Sequence, residues 1–289
     1  MLRLIGAWAA VLSLCLAVPP RVCGAGNTLA IIAAGVEASE DAPFVPKNYH
    51  FLPGDYVYFT FEITGFSVSE NAEDDVRSIS LAYEVTPEDA SGRPLTPSER
   101  GTIQTTLAPE DKNWTPKRRA SFLLPPFLAA GEYHIHVVVK DAVGKAQVAR
   151  DYPFEIGGVT IQPATSITVE NFRFLRQADD TTPLEVPAYS PGDHVFARFE
   201  LVGYKLGPGN AYHVAYDITV TSPDGKTFIQ QPNAAELHES SFYPAQFVPG
   251  SLNLSIPKNS VRGEYIIELR ARDLIGNQTY ELKKAFSIE

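Results

Sequence analysis

His134 and His136 stand at i and i+2 in the run Tyr133-His134-Ile135-His136. On an extended chain both imidazoles point to one face, about 7 Å apart, which is how a zinc site can begin. Spacing assigns no third ligand, and the matching positions in a second copy of the segment are Ile266 and Glu268. The pair therefore reads as the polar outer face of a sheet, and no metal is expected. The stretch Glu70-Asn71-Ala72-Glu73-Asp74-Asp75, and later Asp179-Asp180, offer carboxylates of the kind calcium takes. No Asp-x-Asp-x-Asp-Gly ladder accompanies them, so they read as solvated loops without calcium-dependent stabilisation.

Catalytic spacing is missing as well. No Ser lies in a Gly-x-Ser-x-Gly elbow, there is no His-Glu-x-x-His, and no Gly-rich loop leads into a helix to cradle phosphate. The chain is not expected to be an enzyme or to carry a cofactor. The chemistry it does offer is aromatic. The connector His238-Glu239-Ser240-Ser241-Phe242-Tyr243-Pro244-Ala245-Gln246-Phe247 holds three aromatics, and its counterpart in the first half holds Trp114. Aromatics on loops bury large area at low entropic cost, as sugar-stacking platforms or as anchors in a partner's pocket. Trp114, Phe242, Tyr243 and Phe247 are thus the candidate binding residues. The other reading is that they cap the open end of a core or lie on an edge strand.

The elements that must position them come in two sets. Pro53-Gly54-Asp55-Tyr56-Val57 returns as Pro191-Gly192-Asp193-His194-Val195, Gly131-Glu132-Tyr133 as Gly263-Glu264-Tyr265, and Phe154-Glu155-Ile156 as Phe286-Ser287-Ile288. The order is the same, so the chain is a tandem duplication whose second copy is shorter in its middle loops. The apolar period is two. Val57, Phe59, Phe61 and Ile63 alternate with Tyr56, Tyr58, Thr60 and Glu62, and Val195, Ala197, Phe199 and Leu201 repeat the pattern. Pro87 to Gly92 and Pro223-Asp224-Gly225 supply turns, since Pro presets φ and Gly accepts a positive one. This predicts an all-β chain of two tandem immunoglobulin-like antiparallel β-sandwiches, about seven strands each. The linker Gly157 to Pro163 is too short for a free tether, and contact between the units is expected to be small.

At these motifs the units resemble bacterial immunoglobulin-like and fibronectin-III-like domains. Leu128-Ala129-Ala130-Gly131-Glu132-Tyr133 and Val261-Arg262-Gly263-Glu264-Tyr265 resemble the tyrosine corner of such sandwiches. The resemblance implies that Tyr133 and Tyr265 are structural, each bonding its hydroxyl to upstream backbone. The second unit is also similar to macroglobulin-type sandwiches, through Tyr189 to Val195, Pro223 to Gly225, Ile256-Pro257 and Gly263 to Tyr265, without a thioester cysteine. The resemblance implies a fold and nothing catalytic.

Residues 1–25 read as a secretory signal peptide, with Arg3 in the n-region, Leu4 to Val18 as the apolar core, and cleavage near Ala25. Both cysteines, Cys15 and Cys23, fall in that leader, leaving no disulfide, thiol nucleophile or thiolate metal site. The formal charge of −10 becomes more negative once Arg3 and Arg21 leave, which opposes nucleic acid and anionic membranes. No second stretch is long enough to span a bilayer. The expected organisation is a leader over 1–25, a first sandwich over 26–158 and a second over 159–289, secreted or periplasmic and bacterial. The expected role is a non-catalytic binding or scaffolding module for an extracellular or envelope protein, displaying loops and sheet edges. A polysaccharide-binding module and an accessory or chaperone-like subunit acting by strand addition are the alternatives.

Overall fold

The computed structural model describes residues 28–71, 76–108, 110–111 and 113–289. The leader expected over 1–25 lies outside these residues, as do Ala72 to Asp75 of the acidic stretch. The strands of the first half are β1 (Ala30–Glu37), β2 (His50–Phe51), β3 (Tyr56–Thr64), β4 (Ser69–Asn71), β5 (Val76–Asp89), β6 (Glu99–Leu107), β7 (Lys117–Leu123), β8 (Gly131–Asp141) and β9 (Gln147–Ile156). The second half adds β10 (Thr168–Leu175), β11 (Ala188–Tyr189), β12 (His194–Val202), β13 (Tyr212–Thr221), β14 (Thr227–Glu239), β15 (Val248–Ser255), β16 (Gly263–Asp273) and β17 (Gln278–Ile288). One 3-10 turn, Pro208–Asn210, interrupts them, and no helix among the described residues is long and apolar enough to cross a membrane.

The strands form four sheets. Two have three strands, ordered β1-β3-β7 and β10-β12-β15. The others are ordered β2-β9-β8-β5-β4, with β6 on the opposite edge of β5, and β11-β17-β16-β13-β14. Pairing is antiparallel except where the two-residue strands β2 and β11 run parallel to β9 and β17. The topology of the first half therefore recurs in the second, β4 being the addition.

The repeated Pro-Gly-Asp motif has a mechanical reason. Gly54 and Gly192 have φ of 87° and 100°, the left-handed region that glycine enters without a Cβ penalty. The carboxylates of Asp55 and Asp193 each accept a 2.8 Å bond from a backbone N–H three residues back, at Leu52 and Ser190. Each aspartate's carbonyl then accepts from the strand crossing below, at Leu124 and Ile256. The turn thus aims β3 and β12 so that Val57, Phe59, Phe61 and Ile63, or Val195, Phe199 and Leu201, are fully enclosed. Burial on this scale is worth about 1.5–3 kcal/mol per large apolar side chain.

Buried apolar side chains gather in two clusters, one from Leu29 to Ile156 and one from Ile167 to Ile288. The alternation places the inward set as expected, with two exceptions on the outward set. Glu200 is buried because Arg173 lies over it with three hydrogen bonds of 3.1 Å, and Thr60 is buried where Arg119 Nε reaches its hydroxyl. A long cation folded along the sheet encloses what alternation alone would leave wet.

Candidate functional site

The connector between β14 and β15 does not stand free. Tyr243 belongs to the first hydrophobic cluster although it lies deep in the second half of the chain. Its hydroxyl donates to Asp89 Oδ2 at 2.8 Å and accepts from Gln246 Nε2 at 3.1 Å. The Gln246 side-chain oxygen accepts from the Ala129 N–H and lies 3.3 Å from the Tyr133 hydroxyl, and the Gln246 backbone N–H donates to the Phe127 carbonyl at 3.0 Å. Phe247 meets Phe127 edge to face at 6.0 Å. From the second half, Tyr204 donates its hydroxyl to the Ala245 carbonyl at 2.6 Å, and Asn210 donates its amide to the Phe242 carbonyl at 2.7 Å. The loop is a join, held from both sides.

Its electrostatics follow from burial. Enclosure pushes the Tyr243 phenol upward, and donation to the Asp89 carboxylate adds to the shift. Burial alone would raise Asp89, but bonds from the Ser91 hydroxyl, the Arg93 and Ser91 backbone and Tyr243 outweigh it and hold the carboxyl below its ordinary value. The group acts as a fixed anion receiving donors.

The candidate aromatics are not brought together. Tyr243 and Phe247 are 4% and 5% exposed, so as they stand they are not free anchors. Tyr243 covers the end of the first core, and Phe247 packs on Phe127, each removing a large ring from water. Phe242, at 58%, is exposed beside them. Trp114, at 38%, stands before β7 and meets Phe66 edge to face at 6.4 Å. The contact between halves, expected to be small, includes the Tyr243–Asp89 and Gln246–Phe127 hydrogen bonds. Gln246 was not foreseen, since a glutamine in a polar loop carries no sequence signal of where its amide will bond.

Tyr133 and Tyr265 donate to the carbonyls four residues upstream, Ala129 at 2.9 Å and Val261 at 2.8 Å. Gln246 joins only the first of these corners. A second device is repeated at the turns that begin with Asp141 and Asp273. Asp141 accepts from the N–H groups of Ser67, Val143 and Gly144, and Asp273 from those of Lys205, Ile275 and Gly276. Each carboxylate pins the turn after β8 or β16 to the loop after β3 or β12.

The histidine pair is divided between separate carboxylates. His134 Nε2 lies 3.3 Å from Glu88 and His136 Nδ1 2.6 Å from Asp151. His50 pairs with Glu155 at 2.8 Å on the neighbouring edge. Among the described residues no group of three His, Cys, Asp or Glu side chains is arranged to hold a metal. Glu70 stands 3.9 Å from Arg77, and Asp180 accepts the Gln177 N–H as a turn residue. A surface depression of about 470 Å³ lies beside Tyr83, Glu84, Arg100 and Lys140, with Arg100 bonded to Glu84 at 2.7 Å.

No family model matches the chain, and no curated protein matches it. Solved structures similar to it include the C-terminal domain of BspA, an AgI/II polypeptide of Streptococcus agalactiae, 12% identical over 88% of this chain and 99% of that one, with a TM-score of 0.27. The C-terminal domain of the antigen I/II-family protein AspA of Streptococcus pyogenes is 12% identical over 88% of this chain and 98% of that one, with a TM-score of 0.29. A family 123 glycoside hydrolase of Clostridium perfringens is 12% identical over 43% of this chain, with a TM-score of 0.29, and the match spans 26% of the length of that enzyme.

Proposed function

We propose that the protein is a non-catalytic binding or scaffolding module, exported by cleavage near Ala25 and working outside the cytoplasm on a protein partner. In this reading residues 26–158 and 159–289 are two immunoglobulin-like sandwiches in tandem. The observation that carries it is the join. Tyr243, Gln246 and Phe247 invest buried area and hydrogen bonds in the relation between the two halves rather than in any chemistry. A scaffold needs that investment, because loops and edges on different sheets are useful to a partner only when their spacing is fixed. The acidic composition, −10 overall, favours a partner other than nucleic acid.

The exposure of Phe242 and of Trp114 favours a second reading, carbohydrate stacking at either ring on its own, without Tyr243 and Phe247. Capture from a native envelope fraction by the immobilised chain, alongside a glycan array, separates the two. A protein retained by wild type and lost from the Tyr243→Ala/Gln246→Ala chain supports the scaffold. Polysaccharide retention that disappears with Trp114→Ala/Phe242→Ala replaces it with the second reading. Equal retention by all three chains removes both sites.

A further inference from the structure

Among the described residues, every sheet edge but one is blunted. β1 and β10 carry bulges, between Ile32 and Gly35 and between Glu170 and Arg173, with Ala33 and Asn171 at positive φ. β7 opens with Lys117, Arg118 and Arg119, and β15 contains Pro249 and Gly250. β2, β4 and β11 are two or three residues long. β14 holds Pro232, Asn233 at φ 51° and two register shifts against β13. These are the devices that keep strand edges from pairing with other chains.

β6 has no proline, bulge or positive-φ residue, and its two charges, Glu99 and Arg100, lie at one end. It is nine residues long, without proline, and pairs with β5 in unbroken register from Arg77↔Leu107 to Val85↔Glu99. Its only charges are the adjacent Glu99 and Arg100, which cancel, and Gly101 to Leu107 is neutral and rich in Thr. The edge facing away from β5 carries no backbone hydrogen bond to any described residue. The duplication supplies the control, because β14 occupies the same place in the second half and is guarded.

We propose that β6 is a docking edge whose occupant is a second copy of this chain, the two strands running antiparallel about a two-fold axis at Ile103. Ile103 is the middle residue of the strand, so this register alone pairs all nine residues. It sets Glu99 against Leu107, Arg100 against Thr106, Gly101 against Thr105 and Thr102 against Gln104, with no like charges opposed. The two copies of Glu99 end about 27 Å apart, beyond screening distance. Directly opposed residues share a face, so exposed Arg100, Thr102, Gln104 and Thr106 meet one another, while Ile103, already enclosed in its own core, lies opposite its copy on the inner face. A chain of net charge −10 repels its own copy over most of its surface, and β6 is a locally neutral stretch. The proposal extends the binding reading but does not need its partner, since dimerisation is measured on the purified chain alone.

The test is the solution mass of the full chain across a concentration series, with Thr102→Lys/Gln104→Lys and Thr102→Glu/Gln104→Glu chains. Both positions are exposed, so folding, checked by circular dichroism and melting, is expected to hold. Wild type should be a dimer. Each charged chain should dissociate about 100-fold more readily, because its like charges face across the axis, and mixing the two should restore a dimer. Amide exchange over Gly101 to Leu107 should slow as wild-type concentration rises. A wild-type chain that stays monomeric to about 100 μM, even if it takes up a foreign extended peptide at β6, overturns the second-copy assignment. So does a dimer that the lysine chain retains.

Discussion

The hydroxyl of Tyr243 and the carboxylate of Asp89 meet at 2.8 Å across 154 positions of sequence. Asp89 closes the long β5 of the first half, while Tyr243 sits in a loop of the second. The bond is part-buried, so its loss should be felt as stability. Tyr243→Phe keeps the ring and should cost about 1.5–3 kcal/mol, the value of a bond to a charged acceptor. Tyr243→Ala also empties part of the first core and should cost about 3–5 kcal/mol. Urea unfolding of both variants measures the difference.

Acid should test the same pair. The Asp89 carboxyl is held below its ordinary 3.8, so the folded state binds that proton less readily than the unfolded chain does. Its contribution is complete above the unfolded value and is lost as pH falls through the lower folded one. The urea midpoint of wild type should therefore drop below about pH 4. Tyr243→Phe, lacking one of the donors that lower Asp89, should show a shallower drop.

Arg173 should be far less replaceable than Arg119. Arg173 is the described partner of Glu200, which is 3% exposed. Arg173→Ala strands that carboxylate and should cost about 3–5 kcal/mol. Arg119 reaches Glu37 only at 4.0 Å and spends its other nitrogens on exposed Glu40 and Asp41. Arg119→Ala should cost less, about 1–2 kcal/mol, because buried Glu37 has only a 4.0 Å contact to lose along with the Thr60 bond. Thermal melts of the two variants rank them.

The turn carboxylate Asp141 accepts three backbone N–H groups, and Asp141→Asn keeps only one acceptor oxygen. The expected loss is about 2 kcal/mol, with faster amide exchange at Ser67, Val143 and Gly144. An unchanged exchange rate at Ser67 would separate the turn from the loop after β3 and refute the coupling.

What the sequence carried was local. The period-two runs of β3, β12, β8 and β16 and the Pro-Gly-Asp turns are legible because alternation and positive φ are decided by a residue and its near neighbours. Tyr243 and Phe247 were illegible in their destination. An aromatic in a connector looks the same whether water or a distant core receives it, and here the receiving surface is built by residues far away in the chain. Gln246, Arg173 and the pairing of Asp141 with Ser67 are of the same kind. The contrast between β6 and β14 was written in Pro232 and Asn233, but it became readable only once both strands were known to be edges.

The position of Tyr243 also changes what counts as a part. Divided in the stretch 157–163, the chain would give a leading fragment that keeps its own strands and loses the ring that plugs its core. The trailing fragment would carry that plug into solvent. Protease nicking at the linker would accordingly leave a non-covalent pair that copurifies. Either piece expressed alone should aggregate sooner than the intact protein. The strand order of the first half recurs in the second, but the first core takes its lid from the second half.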